Sequence, residues 1–152
     1  MKKKISLLII CILLCFQLVG CGSKESISAE TFVNSLKNMG YAVTYVSDQY
    51  SSYPQIKTAI VAQKEGYQVE FYILDNEANA QSMFNTNKEI FRNSAGNVSK
   101  EFSTSISNYA TYTLQSNNRY MYLSRIDNTL FYADVDKKYA DAVINVTNAI
   151  LY

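Results

Sequence analysis

Apolar and polar positions along this chain follow two periods, and the switches between them mark its elements. Phe32, Val33, Leu36 and Met39 recur three and four apart, which predicts a helix with one apolar stripe. Ser28 is its expected N-cap and Glu30 falls in the first turn, where a carboxylate suits the helix dipole. Ile27 and Phe32 have the spacing of a hydrophobic staple, and Gly40 offers the left-handed conformation that ends helices. Tyr41 to Val46 then alternates β-formers and predicts a strand, and Ser47 to Gln55, holding the single proline Pro54, predicts a loop. Ile56 to Gln63 and Tyr67 to Leu74 read as strands of a hairpin closed by Lys64-Glu65-Gly66.

Asn76 is the expected cap of a second helix, which ends near Ser94-Ala95-Gly96 and carries Ala80, Met83, Phe84, Ile90 and Phe91 on one face. Val98 to Ile106 and Tyr109 to Leu114 follow as strands, and Arg119 to Ile126 pairs with Thr129 to Asp134 across Asp127-Asn128. Asp136 is the expected cap of a last helix with the stripe Ala140, Val143, Ile144, Thr147, Ile150 and Leu151. The predicted fold is α+β: an antiparallel sheet of about six to seven strands with about three helices packed on one face.

An offset of 60 residues matches the chain weakly to itself. Phe71/Phe131, Tyr72/Tyr132, Ala80/Ala140, Asn85/Asn145 and Ile90/Ile150 are identical, and Asn76/Asp136, Met83/Val143, Phe84/Ile144 and Phe91/Leu151 keep their chemical type. Two readings fit: a duplicated hairpin–helix unit, or the pattern that any hairpin running into an amphipathic helix shares.

The first residues have a different character. Lys2, Lys3 and Lys4 precede an apolar run from Ile5 to Phe16, and Leu18-Val19-Gly20-Cys21 closes it, the three-part pattern of a secretory signal with a lipobox. The run is too short for a span, which needs about 20 apolar residues. The expected organisation is a cleaved signal over 1–20, a short membrane tether over 21–27 that reaches about 23 Å if extended, and a single domain over 28–152. Cys21 is the expected lipidation site, and a diacylglyceryl thioether there supplies the two acyl chains that stable anchoring requires. Cleavage leaves 132 residues, a usual size for one domain.

Composition narrows the chemistry. Loss of three lysines with the signal leaves 11 basic against 13 acidic residues, a net charge of −2, which argues against a nucleic-acid partner. The chain has no histidine and no tryptophan, and its three cysteines are Cys11, Cys15 and Cys21, so the processed chain has no free thiol. Histidine-based nucleophile pairs and the commonest zinc ligands are therefore outside its repertoire, and no cofactor, metal site or enzyme activity is expected. Glu65, Glu70, Asp75 and Glu77 read as surface carboxylates. Asp134-Val135-Asp136 with Asp141 lacks the glycine turn and bidentate glutamate of a calcium loop, and capping explains it better. Asn97-Val98-Ser99 and Asn145-Val146-Thr147 match a glycosylation pattern, the second copy inside a predicted helix, and carry no weight.

Tyrosine stands out, at 13 residues. If Val69, Phe71, Ile73, Met121, Leu123, Phe131 and Ala133 point into a core beneath the helices, strand alternation turns Tyr72, Tyr120, Tyr122 and Tyr132 onto an open face, with Tyr112 beside them. Such a face suits recognition of a protein, peptide or glycan; cross-strand aromatic pairs that only stabilise the sheet are the simpler explanation.

From the lipobox through Gly40-Tyr41-Ala42-Val43 and Val69-Glu70-Phe71-Tyr72 to Asp134-Val135-Asp136-Lys137-Lys138-Tyr139, the chain resembles small lipoproteins of unknown function from Gram-positive bacteria. The resemblance implies a protein held on the outer face of the cell membrane through Cys21. With the missing catalytic residues it predicts a non-catalytic binding or interaction module. An accessory subunit of a membrane complex is the alternative, and an enzyme working through carboxylates the third.

Overall fold

A computed structural model describes residues 22–152. The signal segment and the expected lipidation site, Cys21, lie outside the described residues.

Helix α1 (Ala29–Asn38) starts where the Ser28 hydroxyl accepts the Thr31 N–H at 3.1 Å and buries Phe32, Val33 and Leu36. It ends at Gly40, whose φ of +82° lets the Tyr41 N–H turn back to the Leu36 carbonyl at 3.0 Å. Strand β1 (Ala42–Tyr45) leads through a 3₁₀ turn (Ser47–Tyr50) to β2 (Ile56–Lys64) and β3 (Tyr67–Leu74). Glu65 and Gly66 both take positive φ, the two-residue turn whose twist matches a hairpin. Helix α2 (Glu77–Ser94) is capped by Asn76, whose side-chain oxygen accepts the Asn79 N–H at 2.9 Å. Strands β4 (Val98–Ile106), β5 (Tyr109–Ser116), β6 (Arg119–Ile126) and β7 (Thr129–Asp136) form a meander. Asp136 makes no side-chain cap: a 3₁₀ turn (Lys137–Tyr139) separates it from helix α3 (Ala140–Ala149).

The strands make one seven-stranded antiparallel sheet in the order β1-β2-β3-β7-β6-β5-β4, and the fold is α+β. β3 and β7 lie side by side at its centre with Phe71 opposite Phe131. The three helices do not share a face. One core holds Phe32 and Leu36 of α1 and Val143, Val146 and Ile150 of α3 against Phe71 and Phe131, with the Phe32 and Phe71 rings stacked at 4.7 Å. The second core holds Ala80, Phe84 and Phe91 of α2 against Tyr72, Met121, Leu123 and Leu130.

Register explains the division. Ser124 pairs with Phe131 and Leu123 with Tyr132, so Met121 and Leu123 share a face with Tyr72 and Tyr132 rather than with Phe71 and Phe131. Both faces of the central strands are apolar, and each such face must be covered to stay out of water.

The sheet has two ends of different character. At the near end, the β4–β5 turn receives the start of the described chain: the Lys24 N–H donates to the Asn108 side-chain oxygen at 3.0 Å, and the Asn108 amide nitrogen donates to the Lys24 carbonyl at 2.6 Å. The same amide nitrogen donates to Asp127 in the β6–β7 turn at 2.9 Å, and Tyr152 hydrogen-bonds Thr129 at the start of β7. Residues 22–27 are thus not a free tether, since Lys24 is pinned and Ile27 packs against the first core. The far end holds the β2–β3 and β5–β6 turns and the close of β7. Eight-residue strands such as β3 and β7 separate the two ends by roughly 26 Å.

Candidate functional site

Among the described residues, Tyr72, Tyr120, Tyr122 and Tyr132 do not form one open face. Tyr120 and Tyr122 lie on the α1/α3 side and Tyr72 and Tyr132 on the α2 side. Tyr72 and Tyr120 are each 4% exposed, Tyr122 and Tyr132 are partly buried, and Tyr112 is fully enclosed in the second core. The Tyr122 ring meets Phe131 edge-on at 6.0 Å and the Tyr132 ring lies 5.1 Å from Phe91. The expected alternation holds within each strand, but the phase linking β6 to β3 and β7 is shifted by one residue, which turns a whole strand over.

None of these tyrosines lines the three depressions that adjoin along the sheet, but the Tyr72 hydroxyl bonds to Glu70, which does. α2 crosses β3, β5, β6 and β7, and on the β1–β3 half of that face the Ser47–Tyr50 turn packs on β2. Three depressions adjoin along this half. The first, about 710 Å³, lies across the far edge of the sheet between the β2–β3 turn, the last residues of β7 and Tyr139, and is lined from both faces. It shares Gln63 and Gln68 with the second, about 340 Å³, which runs on to Thr44, Tyr50 and Glu70. The second shares Tyr50 with a third of about 460 Å³ between Tyr53, Ile56 and the Met83–Ile90 side of α2. The result is a groove that is polar at the far end and apolar beside the helix.

A chain of hydrogen bonds fixes its floor. The Gln63 amide donates to Gln68 at 3.1 Å and the Gln68 amide donates to Glu70 at 2.8 Å. The Tyr72 hydroxyl donates to the other Glu70 oxygen, and the Tyr50 hydroxyl lies 2.9 Å from that of Tyr72. Burial, reinforced by Glu70 and Tyr50, pushes the Tyr72 phenol far above its usual range, so it is a fixed neutral donor. At the far end Arg119 donates to Asp134 through Nε at 3.0 Å and through a second guanidinium nitrogen. Burial raises the Asp134 carboxyl above its usual range, and Arg119 opposes the shift. Tyr132 stands between these groups, opposite Glu70 across the strands, and burial followed by the charges of Asp134 and Glu70 raises its phenol too.

The first depression is closed on its rim by Tyr139, whose hydroxyl donates to the Glu65 carbonyl at 2.6 Å while its ring stacks on Tyr67 at 4.5 Å. Asp136 faces Lys138 at 3.8 Å, so each carboxylate of the Asp134-Val135-Asp136 run has a cationic neighbour. Sequence reading anticipated Tyr72 and Tyr132 as candidates and treated Glu70 as a surface acid. It missed Gln63, Gln68, Arg119, Tyr50 and Tyr139. The available signal was the alternation Gln68, Glu70, Tyr72, a polar stripe on one face of an otherwise apolar strand.

The arrangement offers amide, carboxylate, guanidinium and phenol groups in a row and then an apolar trough, the chemistry of hydrogen-bonded recognition of an extended ligand. Comparison with known proteins finds no matching family, no similar curated protein and no similar solved structure. No helix among the described residues is long and apolar enough to cross a membrane.

Proposed function

We propose that this chain is a membrane-anchored extracytoplasmic lipoprotein, held through a diacylglyceryl group on Cys21, that binds a peptide or glycan segment without chemical turnover. The anchor rests on the Leu18-Val19-Gly20-Cys21 lipobox behind a basic and apolar leader. The observation that carries the binding reading is the row of three open depressions that share Gln63, Gln68 and Tyr50 in their linings, rather than one closed cavity. Binding without turnover is supported by the state of its groups: Asp134 is held by Arg119, and Glu70 accepts from both Gln68 and Tyr72.

Metabolic labelling with a fatty acid tests the anchor, with label expected on the parent and absent from Cys21→Ala. Capture of cell-envelope peptides and glycan fragments tests the groove. Gln63→Ala with Gln68→Ala removes two side chains that are partly or fully exposed, and is expected to leave the melting temperature near the parent's while retention falls at least about tenfold. Undiminished retention would remove the groove as the site.

A further inference from the structure

The near end of the sheet combines three features that the fold does not require of one another. Gly22 lies against Ile106, close enough that a methyl group placed on it would meet Ile106 Cγ2 at 3.6 Å. Gly22 is joined directly to Cys21 by a peptide bond. Ile106 is 45% exposed although it is a large apolar side chain. Beside the same segment, Leu151 helps line a depression with Lys24 and Glu25, and it is the most exposed large apolar residue described, at 74%.

Leu151 also breaks a local backbone rule. The Tyr152 N–H bonds to the Thr147 carbonyl at 2.9 Å, closing α3 in the manner that places the intervening residue in the left-handed region, and Leu151 has φ +61°. Glycine is the usual occupant of such a position, because a side chain there strains the backbone. Here the strained residue is a leucine whose side chain packs on little of the protein. A strained position that holds a largely exposed apolar side chain is the kind of site that serves an external contact.

We propose that this end of the sheet is a bilayer-contacting surface, with Leu151 and Ile106 entering the boundary between headgroups and acyl chains beside the lipid on Cys21. This rests on the anchoring reading above. The attraction is apolar rather than ionic, because the Lys24 amine, seated 5.1 Å from the Tyr109 ring centroid, shares this end with Glu25 and Asp127. Since Asn108 pins Lys24, the domain cannot swing freely about its anchor, and insertion of two side chains fixes its attitude. The far end, with the polar mouth of the groove, then points away from the membrane.

The chain has no tryptophan, so single introduced tryptophans report their own surroundings. The test uses the full-length chain lipidated in bacterial cells and placed in vesicles of equimolar phosphatidylglycerol and phosphatidylcholine with mid-chain bromine. Leu151→Trp and Ile106→Trp are each expected to lose about half of their emission relative to unbrominated vesicles, as side chains about 5–10 Å deep would. Asn117→Trp, at the far end, is expected to lose none. If the protein floats with the vesicles while positions 151 and 106 stay unquenched, or if position 117 is quenched equally, the contact is overturned and the anchor stands. If mass spectrometry finds no diacylglyceryl on Cys21, both readings fall. Should Leu151→Trp fail to melt cooperatively, Ile106→Trp alone decides.

Discussion

The two hairpin–helix units, β2-β3-α2 and β6-β7-α3, match at an offset of 60 residues yet solve their packing in opposite ways. Their strands are near equivalents: Phe71 and Phe131 face each other at the centre of the sheet, both fully buried. Their helices are not. α2 crosses to one face and α3 to the other, and the matched positions exchange environments. Phe91 is fully buried while Leu151 is 74% exposed, and Ile90 is 51% exposed while Ile150 is 2% exposed. Two neighbouring antiparallel hairpins related by an axis through the sheet would send their helices to the same face. A hairpin running into an amphipathic helix therefore accounts for the repeat at the level of strands only, and the direction in which the chain leaves each strand decides which stripe of the helix becomes core.

The strand half of this comparison carries the largest expected effects. Phe71→Ala and Phe131→Ala should each destabilise by about 3–5 kcal/mol, since each ring is enclosed in the first core and both pack against Phe32. Because the two share that partner, the double variant should depart from additivity by about 0.5–3 kcal/mol. Denaturant melts of 22–152 measure all three, and unequal single losses would break the equivalence of the two central strands.

The helix half predicts inequality. Phe91→Ala should cost about 3–5 kcal/mol, and Leu151→Ala, at the matched position, less than about 0.5 kcal/mol. Equal losses from the same melts would mean that α3 buries the stripe its sequence match to α2 suggests.

Most of the fold was legible because its cues are local. Ser28, Asn76, Gly40 and the Glu65-Gly66 turn act where they stand, and the strands fall where alternation puts them to within a residue or two. The division of helices between faces was not legible, because it depends on which of two apolar faces each strand turns toward its neighbour. Phe71-Tyr72-Ile73-Leu74 is apolar on both sides, and the Gln68-Glu70 stripe on one side of the first half of β3 carries no information about the phase of β6. The groove was hidden for the same reason: Gln63, Gln68, Glu70 and Arg119 come together only through pairing of β2, β3, β7 and β6.

A smaller contrast lies in the hydroxyls of Tyr72 and Tyr132, again matched positions. Tyr72 donates to Glu70 and meets Tyr50, whereas the Tyr132 hydroxyl has no comparable bond among the described residues. Tyr72→Phe should therefore cost about 1.5–3 kcal/mol, the range for a hydrogen bond to a charged group, and Tyr132→Phe less than that. Burial raises both phenols above their ordinary value, so at these two groups the folded and unfolded chains bind the same protons well below pH about 10, where neither phenol ionises. Above it the unfolded chain ionises first and stability falls with rising pH. Either Phe variant should flatten that fall, as alkaline unfolding followed by tyrosinate absorbance would show; an unchanged slope in both would mean that neither phenol is coupled to folding.

A small effect at Leu151 has the most informative sign. Leu151 holds a left-handed backbone position that closes α3, a conformation that costs a residue with a side chain about 1–2 kcal/mol and glycine nothing comparable. Its side chain is mostly exposed, so truncation forfeits little packing, while glycine adds freedom to the unfolded chain that offsets part of the gain. Leu151→Gly should therefore stabilise the soluble domain by about 0.5–1 kcal/mol, where nearly every other apolar truncation in this chain destabilises it. On vesicles, the proposed lipid anchor and bilayer contact predict that the same substitution loosens the domain's attitude at the membrane, read as faster rotational depolarisation of a dye attached at the far end. A Leu151→Gly variant that loses stability would show that the side chain serves the fold, and the argument that this position is held for an external contact would fail at its first step.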